Sequence, residues 1–246
     1  MPYEPREMAP AMPALAEVTP AEHAVLRAAG AADAGYWDEQ PVADRPSFAR
    51  FKSEVKQYYL FAQGMRCCYC SFELANDQST FDAEHVLDKS THRQFMFELN
   101  NLAAACKPCN RAKNAKSALV AGLIPGVVPA NSADYRLVHP HLDPWGAHLE
   151  FDEFGRIRPH GGSQKGVNTI EICKISTLNA ARLCRHFAAG SKDAEDLLRR
   201  FFKYRRLSKK RACLALLRDL ANNFGLAKAS VIVDRLEQEL KGGAAP

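Results

Sequence analysis

Four cysteines in two Cys-x-x-Cys pairs are the residues of this chain whose spacing most directly predicts chemistry. The pairs are Cys67/Cys70 and Cys106/Cys109, and thirty-five residues separate them. Four thiolates from two tight turns can close a tetrahedral zinc site. The other interpretation is four unrelated core cysteines, but a proline-containing turn like that of the second pair is rare in a core. We therefore expect a structural zinc ion on these four cysteines.

Several residues between and beside the two cysteine pairs are not needed by a structural zinc site. Glu84-His85 stands between the pairs, Asn101 precedes the second pair, and Asn110 follows its last cysteine. Residues 80–87 have strand character, so Glu84 and His85 would approach a shared site from different directions at a strand end. A lone histidine or asparagine is more often structural than catalytic. The order of these residues is what suggests a second site that performs chemistry.

This ordered set resembles the HNH nucleases, the zinc-stapled branch of the ββα-metal endonucleases. The resemblance covers roughly residues 64–116 and rests on segments 67–70, 84–86, 101–102 and 106–113. It implies an α+β protein with a central ββα-metal motif, a structural zinc ion and mostly helical surroundings. It also implies a metal-dependent endonuclease that hydrolyses DNA phosphodiester bonds, leaving 5′-phosphate and 3′-hydroxyl ends.

The resemblance assigns a role to each residue of the set. His85 matches the general base, for which a neutral imidazole is suited. Asn101 matches the residue that holds the active-site loop and helps to orient the base. Asn110 stands where many members have a third histidine. Glu84 and Asn110 would hold one Mg²⁺ or Mn²⁺ through hard oxygen ligands, and this cation would stabilise charge on the phosphorus and on the leaving 3′ oxygen.

A phosphate contact and two departures complete this comparison. Lys113, with Arg111 as the second choice, would contact the scissile phosphate or its neighbour. Asp88-Lys89-Ser90 stands where Pro-Lys-Ser is common, so a turn-fixing proline is lost, and the Asp88 charge would repel phosphate or add to the metal site. Glu84 replaces the commoner aspartate, which alters the expected position of the cation.

The flanking sequence extends the resemblance to HNH proteins of bacterial anti-phage systems. A predicted helix ends at Gly64, just before the first cysteine pair, and residues 134–141 follow the second pair. The nuclease subunits of Septu-type or retron-associated systems are similar in these features. They work with an ATPase subunit, so the resemblance implies a defence role with such a partner.

A basic segment near the C-terminus predicts contact with nucleic acid. It contains no acid from residue 199 to residue 211, and aromatic residues alternate with its cations. The cations assigned to this contact are Arg199, Arg200, Lys203, Arg205 and Arg206. The alternative is an amphipathic helix with solvated charges and buried aromatics. Both can hold at once, and the formal net charge of only +5 makes the segment a local concentration of positive charge.

A second polar cluster comprises His139, His141, Asp143 and His148. The His-x-His pattern can bind a metal, with the aspartate adding an oxygen. We favour a structural turn with locally hydrogen-bonded histidines, because no second catalytic arrangement surrounds them. They remain candidates for the lining of the nuclease cleft.

The sequence predicts three parts: a Pro/Ala-rich extension (1–46), the HNH core (47–120), and a loop-rich, then helical, region (121–246) that binds nucleic acid or a partner. Thr19 and Glu22 predict a capping box and a helix stopped by Gly30. That helix either packs on the main domain or docks on a partner.

Further elements follow from periodicity and turn residues. A helix with an aromatic core stripe is predicted from Ser47 to Gly64. Strands are predicted at 135–138, 148–151 and 155–158, and helices dominate from about residue 168. These helices are expected at 176–187, 191–207, from 208 onward and at 228–240.

Composition favours a cytoplasmic protein that buries a core. Hydrophobic residues make up 47% of the 246 residues. The N-terminus carries Glu4, Glu7 and prolines, and we expect no membrane segment. The competing function class is a zinc-stapled nucleic-acid-binding or adaptor module without catalysis. It explains the cysteines and the basic segment, but not the joint occurrence of Glu84, His85, Asn101 and Asn110.

Overall fold

The computed structural model describes residues 3–187 and 191–242. The chain is mixed α and β and mostly helical, with 49% helix and small sheets, as the sequence predicts. It divides into two compact units. The larger unit comprises residues 4–149 and 159–173. The smaller unit comprises residue 3, residues 150–158 and the described residues from 174 onward. The predicted three-part functional division stays a prediction.

The larger unit carries one antiparallel sheet and four of the helices. Strand β1 pairs with β2 so that Phe81 lies opposite Cys106 and His85 lies opposite Leu102. Helix α3 follows β2 without a loop. The elements are α1 (Pro20–Ala32), α2 (Arg45–Ala62), β1 (Phe81–His85), β2 (Leu102–Cys106), α3 (Lys107–Lys113) and α4 (Gln164–Ile172).

Helix α1 begins where the capping box predicts. The Thr19 hydroxyl accepts from the Glu22 backbone N–H, and the Glu22 side chain accepts from Thr19. The prediction that the helix stops at Gly30 is wrong. A Cβ atom at Gly30 would lie 2.8 Å from the Phe97 ring. This glycine therefore serves close packing inside the helix, and the helix continues to Ala32.

Helix α2 begins two residues before the predicted Ser47. Pro46 occupies the first turn, where a missing N–H is tolerated, and the Ser47 hydroxyl donates to the Asp44 carbonyl. The aromatic stripe is confirmed as core, since residues such as Phe51 and Tyr59 are fully buried.

The N-terminal extension packs on the rest of the larger unit, as the first of the two alternatives for its helix predicts. Leu26 of α1 is fully buried, and Tyr36 and Trp37 are nearly so. Arg6 is 3% exposed and donates to the carbonyl oxygens of Cys68, His139 and two further residues of that segment. The extension thus contributes side chains to the same core as the cysteines.

The smaller unit is built from four helices and most of a second two-stranded sheet. Its core contains Leu183, Leu198, Phe201, Leu217 and Val233. The elements are β3 (Leu149–Phe151), β4 (Ile157–Pro159), α5 (Ile175–Cys184), α6 (Lys192–Lys203), α7 (Leu207–Asn223) and α8 (Ala227–Lys241).

Most predicted elements of the C-terminal half are confirmed within a few residues, and one is wrong. No strand forms at 135–138, where Tyr135 makes only an isolated bridge to Leu119. Helix α4 begins at Gln164, earlier than expected, because Ser163 caps it by accepting from the Gly166 N–H. None of the described helices has the length and apolar character needed to cross a membrane.

Candidate functional site

The four paired cysteines form one buried cluster. The Sγ atoms of Cys67, Cys70, Cys106 and Cys109 all lie within 4.8 Å of one another. Those of Cys70 and Cys106 are 3.7 Å apart. Two thiolates on one tetrahedral zinc ion, with Zn–S bonds of about 2.3 Å, lie about 3.8 Å apart. The cluster therefore has the ligand type and spacing to bind a metal such as zinc, as the sequence predicts.

The cluster joins two parts of the larger unit. Cys106 ends β2 and directly precedes α3, which contains Cys109. The turn with the first pair is tied to β2, because the Cys68 backbone N–H donates to the Ala104 carbonyl at 2.9 Å. A metal here would fix the loop after α2 to the β2–α3 junction.

A cavity of about 130 Å³ lies where β1 ends against α3. Strand β1 supplies Glu84 and His85 to its wall, and α3 supplies Asn110 and Lys113. The structure thus brings together two pairs of residues that lie about 25 positions apart in the sequence. Asn101 does not line this cavity.

His85 is held as a neutral imidazole in one tautomer. Its Nε2 lies 3.0 Å from the Met96 carbonyl oxygen, which can only accept, so Nε2 carries the proton and Nδ1 keeps its lone pair. The Trp37 ring packs edge-on against the imidazole, with centroids 4.4 Å apart. Burial lowers the pKa of His85 to about 3, against the opposing effect of the Met96 hydrogen bond. His85 is therefore uncharged at neutral pH.

Three residues of the cavity wall each have a side-chain heteroatom without a hydrogen-bond partner in the part of the chain that the structure describes. Among the described residues, Glu84 Oε2, His85 Nδ1 and Asn110 Oδ1 have no hydrogen-bond partner in the protein. The only fully buried side-chain nitrogen or oxygen without a partner in the described part of the chain is His139 Nε2. The three atoms are therefore reached by solvent, and their residues share the cavity wall. Two oxygen ligands and a free lone pair suit a hard divalent cation beside a base.

The orientation of Asn110 follows from its neighbour Asp82. The Asn110 amide nitrogen donates to Asp82 Oδ2 at 2.8 Å. A carboxylate can only accept, so the amide nitrogen must face Asp82 and the amide oxygen must face away. Sequence reasoning missed Asp82, although the alternation of strand residues places it on the same face as Glu84.

Lys113 is buried and does not occupy the exposed position expected for a phosphate contact. Its side chain is 1% exposed, and its ammonium group lies 2.8 Å from Glu84 Oε1 and 2.7 Å from the His85 carbonyl oxygen. The Tyr69 hydroxyl also donates to Glu84 Oε1 at 3.0 Å. Burial raises the pKa of Glu84, although Lys113 and Tyr69 oppose the shift. Lys113 is thus a buried counter-ion, whereas Arg111 is exposed.

Asn101 holds the loop that follows β1. It is fully buried, and its Oδ1 accepts from the Leu87 N–H at 2.8 Å. Its Nδ2 donates to the carbonyl oxygens of Leu87 and Phe95. The next residue, Met96, accepts from His85, so Asn101 acts on the imidazole through this loop.

Asp88 fixes its turn by hydrogen bonds, at the position where the resemblance leads one to expect a proline. One of its carboxylate oxygens accepts from the N–H and hydroxyl of Ser90 and from the N–H of Thr91. Burial alone would raise the pKa of Asp88, but these hydrogen bonds hold it below its ordinary value. The carboxylate lines the cavity as a negative charge already engaged by its own turn.

The second polar cluster is a turn with local hydrogen bonds, as favoured, but the His141 ring is not bonded locally: its nitrogens lie 3.0 Å and 2.8 Å from the carbonyl oxygens of Ala9 and Leu102. The His139 N–H donates to Asp143 at 2.7 Å, and the His141 N–H donates to His139 Nδ1. Asp143 also pairs with Lys165 at 2.8 Å. Neither these residues nor His148 line the cavity that contains His85.

The basic segment spans the end of α6 and the start of α7 in the smaller unit. Phe201 is fully buried in the helical core, whereas the assigned cations are exposed. Phe201 therefore points inward, Phe202 and Tyr204 are half-buried, and the cations point outward. The exposed cations are Arg199, Arg200, Lys203, Arg205 and Arg206.

No protein-family model and no curated protein matches this sequence. A function must therefore be inferred from the site itself.

Proposed function

We propose that the chain is a metal-dependent endonuclease of the HNH type that hydrolyses phosphodiester bonds in DNA. One observation carries this proposal: Glu84, His85 and Asn110 line a single cavity, and each has one side-chain oxygen or nitrogen without a hydrogen-bond partner among the described residues. A cation site and a neutral base side by side are what metal-assisted phosphodiester hydrolysis needs.

The local architecture supports the same proposal. An antiparallel pair of strands, β1 and β2, is followed directly by α3, with the cysteine cluster at the β2–α3 junction. This is the arrangement expected of a ββα-metal motif with a structural zinc ion. The acid and the histidine end the first strand, and the distal asparagine lies on the helix.

Each residue has a defined task in the proposed reaction. Glu84 Oε2 and Asn110 Oδ1 would hold a Mg²⁺ or Mn²⁺ ion, which when bound offsets negative charge on the phosphate. His85 takes a proton from the attacking water at Nδ1, while its Nε2–H bond to Met96 keeps the ring in place. The charge of a bound phosphodiester favours the imidazolium that forms. Asn101 is a positioning residue, since it fixes the loop that orients His85.

A role in anti-phage defence together with an ATPase subunit is the narrower part of the proposal. It is supported by sequence features, namely the helix before the first cysteine pair and residues 134–141 after the second. Co-purification of an ATPase with the tagged chain from its own host tests this part independently of the chemistry.

The decisive experiment compares His85→Ala with the wild type on supercoiled DNA in the presence of Mg²⁺ or Mn²⁺. We expect cleavage to fall by about 10²-fold or more, with zinc content and circular dichroism unchanged. His92→Ala is the matched control, because His92 does not line the cavity, and it should retain activity. Full activity of His85→Ala would contradict the assignment of the base. If the wild-type protein binds DNA but does not cut it in the presence of any divalent metal, the non-catalytic binding module is favoured.

A further inference from the structure

A larger cavity lies in the smaller unit, between the start of α5 and the end of α6. Its volume is about 680 Å³, within the range of roughly 300–1,000 Å³ typical of small-molecule sites. All its lining residues lie between Lys174 and Tyr204 and belong to this unit. It is therefore a separate feature from the cavity that contains His85.

The wall of this cavity is strongly cationic. Four cations and one acid line it: Lys174, Arg199, Arg200, Lys203 and Asp196. In the described part of the chain, Arg199 and Arg200 pair only with acids one turn back on α6, and the charged groups in both pairs are well exposed. Such exposed pairs are weak and exchange readily for another anion. Lys174 and Lys203 have no ion pair among the described residues, so the cavity has an excess of positive charge.

The start of α5 adds uncharged donors to the same wall. Ser176 and Thr177 line the cavity from the first turn of this helix. The helix has no side-chain cap, so no capping side chain accepts a hydrogen bond from its first backbone N–H groups. Lys174 precedes the helix with a φ of 50°, a conformation in which glycine is unstrained. A lysine there maintains a cation at this point despite the backbone cost.

Two aromatic side chains complete the wall. Phe202 is half-buried and packs against Phe201, with ring centroids 5.2 Å apart. Tyr204 is also half-buried, and the Lys209 ammonium lies 5.1 Å from its ring centroid. These rings offer apolar faces beside the cations. Cations that neutralise phosphate, next to rings that stack on a base, are the combination by which proteins hold unpaired nucleotides.

We propose that this cavity binds one unstacked nucleotide of a single nucleic acid strand. The phosphate faces the cations and the start of α5, and the base lies against Phe202 and Tyr204. A free nucleoside triphosphate has the same chemistry. A strand is favoured because exposed cations continue beyond the cavity, at Arg205, Arg206 and Lys209, where they can meet the neighbouring phosphates. This binding goes beyond the proposed hydrolysis and does not depend on it.

Fluorescence anisotropy with the full chain tests the proposal without added Mg²⁺ or Mn²⁺, so that cleavage plays no part. The probe is a labelled 12-nucleotide single strand, with the matching duplex and ATP as competitors. We expect the strand to bind more tightly than the duplex, and millimolar ATP to displace it only weakly. Strong displacement by ATP together with weak strand binding would overturn the assignment to a strand in favour of a free nucleotide.

Substitutions locate the binding. Tyr204→Ala should weaken strand binding by about tenfold with little change in its salt dependence, since it removes a stacking face. Lys174→Ala with Lys203→Ala should weaken binding and also reduce the slope of log affinity against log salt by about 1.4, the value for two phosphate contacts on a single strand. Tyr204→Phe keeps the ring and should bind normally.

Lys228→Ala is the matched control, because Lys228 is exposed on α8 and does not line the cavity. It should change the affinity less than twofold. Should Tyr204→Ala fail to fold, the lysine variants carry the test alone, since both side chains are exposed. Equal binding by the cavity variants and by Lys228→Ala would overturn the proposal, whether or not the protein cleaves DNA.

Discussion

The Lys113 ammonium group and the Glu84 carboxylate form an ion pair inside the larger unit, with exposures of only 1% and 2%. A buried carboxylate needs a compensating charge, and Lys113 supplies it at 2.8 Å. The other oxygen of the same carboxylate has no hydrogen-bond partner among the described residues, and Glu84 lines the cavity. Lys113 and a divalent cation would therefore act on the same charge, and the protein remains balanced when no cation is bound.

This arrangement predicts the behaviour of Lys113→Met. Without divalent cations, the free energy of unfolding should fall by about 3–5 kcal/mol, because Glu84 is left as an unpaired buried charge. Added Mg²⁺ or Mn²⁺ should restore part of this loss by binding the folded state. Urea unfolding with and without the cation measures both effects.

Arg111→Met is the control for this measurement, because Arg111 is an exposed cation on the same helix. It should change the unfolding free energy by no more than about 0.5 kcal/mol. Equal stability of Lys113→Met and the wild type would show that the pair contributes nothing to the fold.

Sequence reasoning could group the residues of this site but could not predict how each would be used. Residues three apart on a helix lie on one face, which places Lys113 near Asn110. Whether that face meets solvent or protein depends on tertiary packing, and Tyr69 is part of that packing. The edge contact of Trp37 with His85 links residues 48 positions apart, and no local pattern indicates such a contact.

Helix α3 shows why the cysteine cluster matters at the scale of an element. It has seven residues, far fewer than the roughly 12–15 that an isolated helix needs to persist in water. The cluster includes Cys109 inside this helix and Cys106 immediately before it. The orientation of Asn110, the next residue, therefore depends on the cluster.

Cysteine substitution tests this dependence. Cys67→Ala should lower the bound zinc and unfold the β2–α3 junction, because a structural zinc site contributes folding free energy directly. Cys68→Ala is a closely matched control, since Cys68 is equally buried but lies outside the cluster. Elemental analysis and thermal unfolding measure the two effects. Equal zinc loss in both variants would argue against the four-cysteine assignment.

The elements that can be predicted from the sequence are those whose first few residues contain a capping or turn signal. Thr19 and Glu22 satisfy each other across one turn, so α1 could be predicted from four residues. The prediction of a helix end at Gly30 is wrong because this glycine allows close contact with Phe97, and the local sequence does not reveal that contact. Likewise, residues 135–138 have strand composition but lack a partner strand, and a strand is stable only when its backbone is paired.

At the scale of the whole molecule, burial disfavours the charged form of three histidines. Burial lowers the pKa of His85, His139 and His141 below the ordinary value of about 6.5. Below that pH the unfolded chain binds more protons at these positions than the folded chain does. Their contribution to stability is therefore complete above about pH 6.5 and declines as the pH falls.

Unfolding measured between pH 7.5 and pH 5 should show this decline. Glu84, whose pKa is raised by burial, acts in the opposite direction. His139→Phe should reduce the slope by up to about 1.4 kcal/mol per pH unit, the effect of one proton. Zinc content measured at each pH separates this effect from acid release of the metal. An unchanged slope would mean that His139 already binds a proton in the folded state.

The two tryptophans of the chain lie beside different parts of the larger unit. Trp37 meets the His85 ring edge-on, whereas the Trp145 indole N–H donates to the Tyr69 carbonyl, next to Cys70. Indole emission responds to nearby charge and solvent. Replacing either tryptophan with phenylalanine would thus leave a single indole, which can be excited selectively over the tyrosines. Occupancy of the cavity that contains His85 and integrity of the cysteine cluster can then be followed separately by light, without any attached dye.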